Sequence, residues 1–174
     1  MVNVKFLNPF VDAATEVLKA EVDLDVTRGN LSLQKTALTA DDITVLLTLV
    51  GQVQGVVLYS MSEATALKII ALMMGQDFQE FDNLAQSGIA EMGNVITGRA
   101  TVKLESVGYH SNISTPTVIL GNGVKISTLD FARIVVPLQT GVGDIIVHLA
   151  LRETQNGNDL SEAINLTVDV PPIK

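Results

Sequence analysis

Asn83-Leu84-Ala85-Gln86-Ser87-Gly88-Ile89-Ala90-Glu91-Met92-Gly93-Asn94-Val95-Ile96-Thr97-Gly98 is the stretch from which the rest of the chain can be organised. It opens a long helix that the sequence carries from about Asn83 to Val107, ended by Gly108. At 100° per residue, Ala85, Ile89, Met92 and Ile96 fall on one narrow stripe, which should pack on a sheet. Ser87, Glu91, Asn94 and Gly98 fall on the opposite side, within about 60° of one another. A carboxylate and an amide therefore stand one turn apart and point away from the core, with a hydroxyl one turn earlier. Gly88, Gly93 and Gly98 cost roughly 1 kcal/mol each against alanine in a helix interior. Glycines so placed read as sites of close approach by another backbone.

Strand-like segments flank this helix. Ile43–Val50 and Val53–Tyr59 read as two strands around a Gly51-Gln52 turn. The whole run from Ile43 to Ser62 is uncharged and, with a mean hydropathy of +0.37 for the chain, has to be weighed as a membrane span. Its central Gly51, Gln52, Gln54 and Gly55 and its β-branched flanks favour two buried strands. Ser62 is an N-cap for a helix from Glu63 to Met74, stopped by Gly75. Nearer the start, Asn8-Pro9 signals a helix running to about Ala20, and Leu31–Ala37 reads as a strand. After the long helix come Thr117–Leu120, Val124–Thr128, Ala132–Leu138 and Ile145–Leu151, with Asn122-Gly123 a hairpin turn between the first two. From Arg152 the composition turns polar, and Ile164–Val170 reads as an added edge strand or a mobile tail. The fold class expected is α/β of the α+β type.

With 174 residues, 47% of them hydrophobic and only 17% charged against a usual share of about 25%, the chain has the composition of one folded domain. A net charge of −8 disfavours phosphate backbones and anionic membrane surfaces, so neither nucleic acid nor membrane insertion is expected. There is no cysteine, hence no disulfide or thiol chemistry. Two histidines are too few for a histidine metal cage: His110 reads as a surface residue and His148 as a satisfied core histidine. Met1-Val2-Asn3-Val4-Lys5 starts no signal peptide, because Asn8, Pro9 and Asp12 interrupt any apolar core, and a cytoplasmic location is expected. Neither a phosphate-cradling glycine loop, nor HExxH, nor GxSxG occurs, and Ser87 has no adjacent histidine. On helical periodicity alone, Glu91 with Asn94 is compatible with ordinary solvation.

The spacings Ser87, Glu91, Asn94 and Pro116 match the signature Asp or Ser, three residues, Glu, two residues, Asn, twenty-one residues, Pro. With Asn8-Pro9-Phe10, Gly55 to Ser62, Ala66-Leu67-Lys68, Met73-Met74-Gly75, Lys103-Leu104-Glu105 and Thr115 to Val118, the chain resembles the CheC/CheX/FliY phosphatases over about residues 1–152. A single copy of the motif is similar to the CheX branch, since the Pro9–Ala20 helix has no Glu-x-x-Asn. The resemblance implies long helices on a largely antiparallel sheet that continues across a homodimer. It also implies hydrolysis of the aspartyl phosphate of a CheY-like receiver domain. By it, Asn94 orients the attacking water, Glu91 docks to the receiver's lysine, Ser87 and Gly98 support the site or contact the partner, and Pro116 shapes the loop behind the helix. No cofactor is expected in this chain, the receiver supplying its own Mg2+. The domain expected spans 1–152, with 153–174 a polar linker and tail. The alternative is a non-catalytic interaction module of a two-component or flagellar pathway; a small-molecule hydrolase lacks any pocket motif.

Overall fold

A computed structural model describes residues 4–128, 132–154 and 166–171. A 3-10 turn (Val4–Phe6) leads into α1 (Leu7–Val22). Helix α1 thus starts two residues before Pro9, and Asn8 is not its cap. Phe6, Leu7 and Phe10 are all buried, which winds the turn inward, and proline is tolerated in a first turn whose N–H groups have no helical partner. The segment expected as a strand at Leu31–Ala37 is instead short and exposed. Only β2 (Ser32–Gln34) forms within it, between β1 (Thr27–Arg28) and β3 (Leu38–Thr39).

The body of the fold is the hairpin of β4 (Ile43–Gly51) and β5 (Val53–Met61), followed by α2 (Glu63–Met74) and α3 (Asn83–Glu105). Ser62 caps α2, accepting from the Thr65 N–H, and Gly75 ends it at φ 65°. Asp82 caps α3 by accepting from the Ala85 N–H at 2.8 Å. Then follow β6 (Ser111–Ile113), β7 (Thr117–Leu120), β8 (Lys125–Thr128), β9 (Arg133–Thr140), β10 (Gly143–Glu153) and β11 (Leu166–Asp169). Positions 155–165, including most of the polar run after Arg152 and the start of the segment at Ile164, lie outside the described residues.

Every strand pairing among the described residues is antiparallel. The large sheet has the order β1-β9-β10-β5-β4-β6, with β2 also on β9 and β7 on β4. A small sheet has the order β11-β8-β3. The Asn122-Gly123 turn therefore does not join a hairpin. It carries the chain from β7 in one sheet to β8 in the other, and is tied to Asp42 and Ala40 by the Gly121 and Gly123 N–H groups. Turn residues report a reversal; which strand receives the chain is decided by the apolar faces on offer.

Two cores result. Val45, Leu47, Val57, Tyr59, Val147, Leu149 and Val136 face α1, α2 and α3. Leu46, Val56 and Leu58 face Ala40, Val124 and Ile126 around the small sheet. Central strands buried on both sides explain why the sequence of β10 does not alternate. Gly55, at φ 149°, lies where a Cβ would stand 2.0 Å from the Ala150 carbonyl oxygen, so β5 and β10 approach there only because the residue is glycine.

Two buried polar residues stand out for their unpartnered nitrogens. Arg133 is fully buried, donating to the Thr36 carbonyl at 2.7 Å, while its Nε has no partner. His148 is buried with both ring nitrogens unpartnered, so it is not the satisfied histidine that its apolar strand suggested. Burial, and then the charge of Arg133, push its pKa down to about 4 and keep it neutral.

Candidate active site

Ala85, Ile89, Met92 and Ile96 are all buried, as the helical stripe predicts. Burying each of the three larger side chains is worth about 1.5–3 kcal/mol, which fixes the rotation of α3 on the sheet. Behind the motif that rotation is also pinned by a polar contact. The Tyr59 hydroxyl on β5 meets Thr97 Oγ1 at 2.9 Å, and Thr97 Oγ1 donates to the Gly93 carbonyl at 2.7 Å. Burial holds the Tyr59 phenol well above its usual pKa, so it stays protonated and able to donate.

The glycines of α3 admit side chains rather than the neighbouring backbone that their spacing suggested. A Cβ on Gly88 would stand 2.6 Å from Ile70 Cδ1 of α2, and one on Gly93 would stand 2.9 Å from Val45 Cγ1 of β4. Gly98 differs: only Ile113 Cδ1 lies as near as 4.0 Å, so its outer surface is open.

The opposite face carries the motif. Ser87 and Glu91 are exposed, and Asn94 and Gly98 are half-buried. Asn94 Nδ2 donates to Glu91 Oε2 over a long 3.5 Å. This contact turns the nitrogen end of the amide toward the carboxylate and leaves its carbonyl oxygen on the other side. Glu91 has no ion-pair partner among the described residues. Ser87 Oγ donates to the Asn83 carbonyl at 2.9 Å, which makes it part of the helix rather than a free hydroxyl. Pro116 is half-buried in the short connection from β6 to β7. Both strands pair with β4 and both touch α3, so Pro116 belongs to the layer behind the motif helix rather than to its solvent face.

A pocket of about 200 Å³, which sequence reasoning missed, opens directly beside Glu91 between α1 and α3. Its walls come from segments seventy residues apart, so no local pattern announces it. Among the described residues no three His, Cys, Asp or Glu side chains are grouped to hold a metal ion, and no helix is long and apolar enough to cross a membrane. His110 is exposed, with Nδ1 3.1 Å from Glu105 Oε1, and lies at the far end of α3 from the motif.

What the arrangement offers chemically is a neutral amide and an unpaired carboxylate on a rigid, outward-facing turn, with no nucleophile. Such a surface suits positioning of a water or of a partner's charged group rather than covalent catalysis.

Known proteins share this fold. Residues 43–139 match the family described as Chemotaxis phosphatase CheX. The CheY-P phosphatase CheX of Thermotoga maritima is 30% identical over 125 residues, covering 71% of this chain and 81% of its own. The crystal structure of a CheC-like superfamily protein from Shewanella sp. PV-4 superposes with a TM-score of 0.79 at 28% identity, covering 87% of this chain and 99% of that one. The same fold recurs in the CheX-CheY-BeF3-Mg2+ complex from Borrelia burgdorferi, with a TM-score of 0.67 at 24% identity, over 87% of this chain and 100% of that one.

Proposed function

The chain belongs to the CheX family of chemotaxis phosphatases, and on that premise we propose that it hydrolyses the aspartyl phosphate of a CheY-like receiver domain, using Asn94 and Glu91 of α3. The observation that carries this reading is the Glu91/Asn94 pair, outward-facing, one turn apart and free of competing ion pairs.

An aspartyl phosphate is already an activated acyl phosphate, and a receiver holds its own divalent metal against the phosphoryl oxygens. What remains is to place a water in line with the bond that breaks. The Asn94 amide does this by accepting from the water through its carbonyl oxygen, the end not turned toward Glu91. Being neutral, it adds no repulsion against the anionic phosphoryl group. Glu91, a carboxylate, would be repelled by that group, so it pairs with the lysine beside the phosphorylation site and thereby seats α3. Gly98 leaves the helix open one turn beyond, where the receiver's backbone can approach. Ser87 and Pro116 support the helix and the loop behind it. Positioning of this kind supplies on the order of 3–5 kcal/mol, or about 10²–10⁴ in rate.

The same reading makes residues 1–152 the phosphatase domain and 153–174 an appended linker and tail, within which β11 adds an edge strand to the small sheet. It also makes the protein cytoplasmic and a homodimer through the sheet. Light scattering at micromolar concentration should give the dimer mass; a monomer would remove that part. The function is tested by the decay of a phosphorylated CheY-type receiver in Mg2+, with and without the protein. Accelerated release of phosphate is the expected result. Binding without acceleration would make the protein an interaction module instead.

A further inference from the structure

The pocket beside Glu91 is lined by Val17, Leu18 and Glu21 of α1 and by Glu91, Met92 and Val95 of α3, with Met73 of α2 and Val22 at its margins. Its floor is apolar: Leu18 and Met92 are almost fully buried, and Val17 nearly so. Its mouth carries two exposed carboxylates, Glu21 and Glu91, and no cation lines it. Of the basic side chains on the two helices, Arg99 of α3 is exposed and does not line the pocket, and the two lysines are engaged elsewhere. Lys19 bridges Asp23 and Asp25, and Lys103 bridges Glu16. Glu21 has no ion pair among the described residues.

We propose that this pocket is a second anchor for the receiver. It takes one lysine or arginine side chain, whose aliphatic stem lies on the apolar floor and whose cation meets the Glu21 carboxylate. The inference rests on the function proposed above, because the pocket shares Glu91 with the reacting site, so a receiver seated on α3 also covers the pocket mouth. Covering Glu21 without a counter-charge would strip water from a carboxylate at a cost of several kcal/mol. A purely apolar occupant leaves that cost standing, and a short acidic or neutral polar one leaves the floor unfilled. A long side chain with an apolar stem and a cationic tip satisfies both halves of the pocket. Glu21 thus selects among receivers by the side chain they present beside the phosphorylation site, while Glu91 and Asn94 serve the reaction common to all of them.

The test uses the full chain and a CheY-type receiver activated with beryllofluoride and Mg2+. Titration calorimetry gives Kd, and turnover of the phosphorylated receiver gives kcat and KM. Glu21→Gln should raise Kd and KM about three- to tenfold and Glu21→Lys more, with kcat at saturating receiver unchanged within about twofold. The Glu21→Gln loss should shrink at high salt. Glu21 is exposed, so neither change threatens the fold. Affinity of Glu21→Gln equal to wild type, in a protein whose turnover is abolished by Asn94→Ala, overturns the anchor and leaves the function standing. No binding of the activated receiver by wild type overturns both.

Discussion

Helices α1 and α3 pack against one another and carry polar residues at the same spacing, Asp12/Glu16/Lys19 on one and Ser87/Glu91/Asn94 on the other. All three α1 residues are exposed, as are Ser87 and Glu91, with only Asn94 half-buried, so spacing does not distinguish the two faces and exposure does so only at the last position. The engagement of the charges does. Glu16 is held by Lys103 at 2.6 Å, and Lys19 stands in the asparagine position with Asp23 at 2.7 Å and Asp25 at 3.0 Å. Glu91 and Asn94 hold only each other, weakly. Helix α1 also ends at Val22, one turn after Lys19, whereas α3 runs on to Glu105. A carboxylate three residues before a polar side chain is therefore a site only where both are left free and the helix is long enough to be braced on either side of them.

Exchanging residues between the two helices tests that contrast. Asn94→Lys puts the α1 residue into α3. Receiver dephosphorylation should fall by about 10²–10⁴ with circular dichroism unchanged, because an ammonium donates but cannot accept from the attacking water. Thr97→Val copies Val22, which stands at the matching place in α1. It leaves the buried Tyr59 hydroxyl without its partner and should cost about 1–3 kcal/mol in urea denaturation. Its effect on kcat should stay below that of any change at Asn94. Gly98→Ala should raise stability by about 0.5–1 kcal/mol, since the new methyl meets nothing closer than Ile113. The same substitution should raise KM for the receiver, a divergence that a purely structural glycine would not produce. Lys19→Asn completes the spacing on α1 and should change turnover by less than about twofold, because Glu16 stays engaged by Lys103. A doubled or greater rate would show that the missing amide alone had silenced α1.

Much of this was legible in the chain. The α3 stripe, its start after Asp82, the β4–β5 hairpin and the Ser62 cap follow from short-range rules of periodicity and capping, and the structure has them all. The motif face was legible as geometry, but its meaning came from the resemblance rather than from periodicity. What was hidden depends on tertiary partners. Asn122-Gly123 marks a reversal correctly yet leads into the second sheet. His148 sits in an apolar run that cannot tell whether its nitrogens find partners. Gly88 and Gly93 announce close packing but not that Ile70 and Val45 supply it. Tyr59, thirty-eight positions from Thr97, and the pocket at Glu21 have no local signature at all.

The most direct test of the central claim compares wild type with Asn94→Ala on one phosphorylated CheY-type receiver in Mg2+, with phosphate release and receiver affinity measured on the same preparations. The account predicts that the variant binds the receiver within about threefold of wild type and loses about 10²–10⁴ of the acceleration. Undiminished phosphate release by a folded Asn94→Ala protein would contradict it, and would move the chemistry away from the outer face of α3.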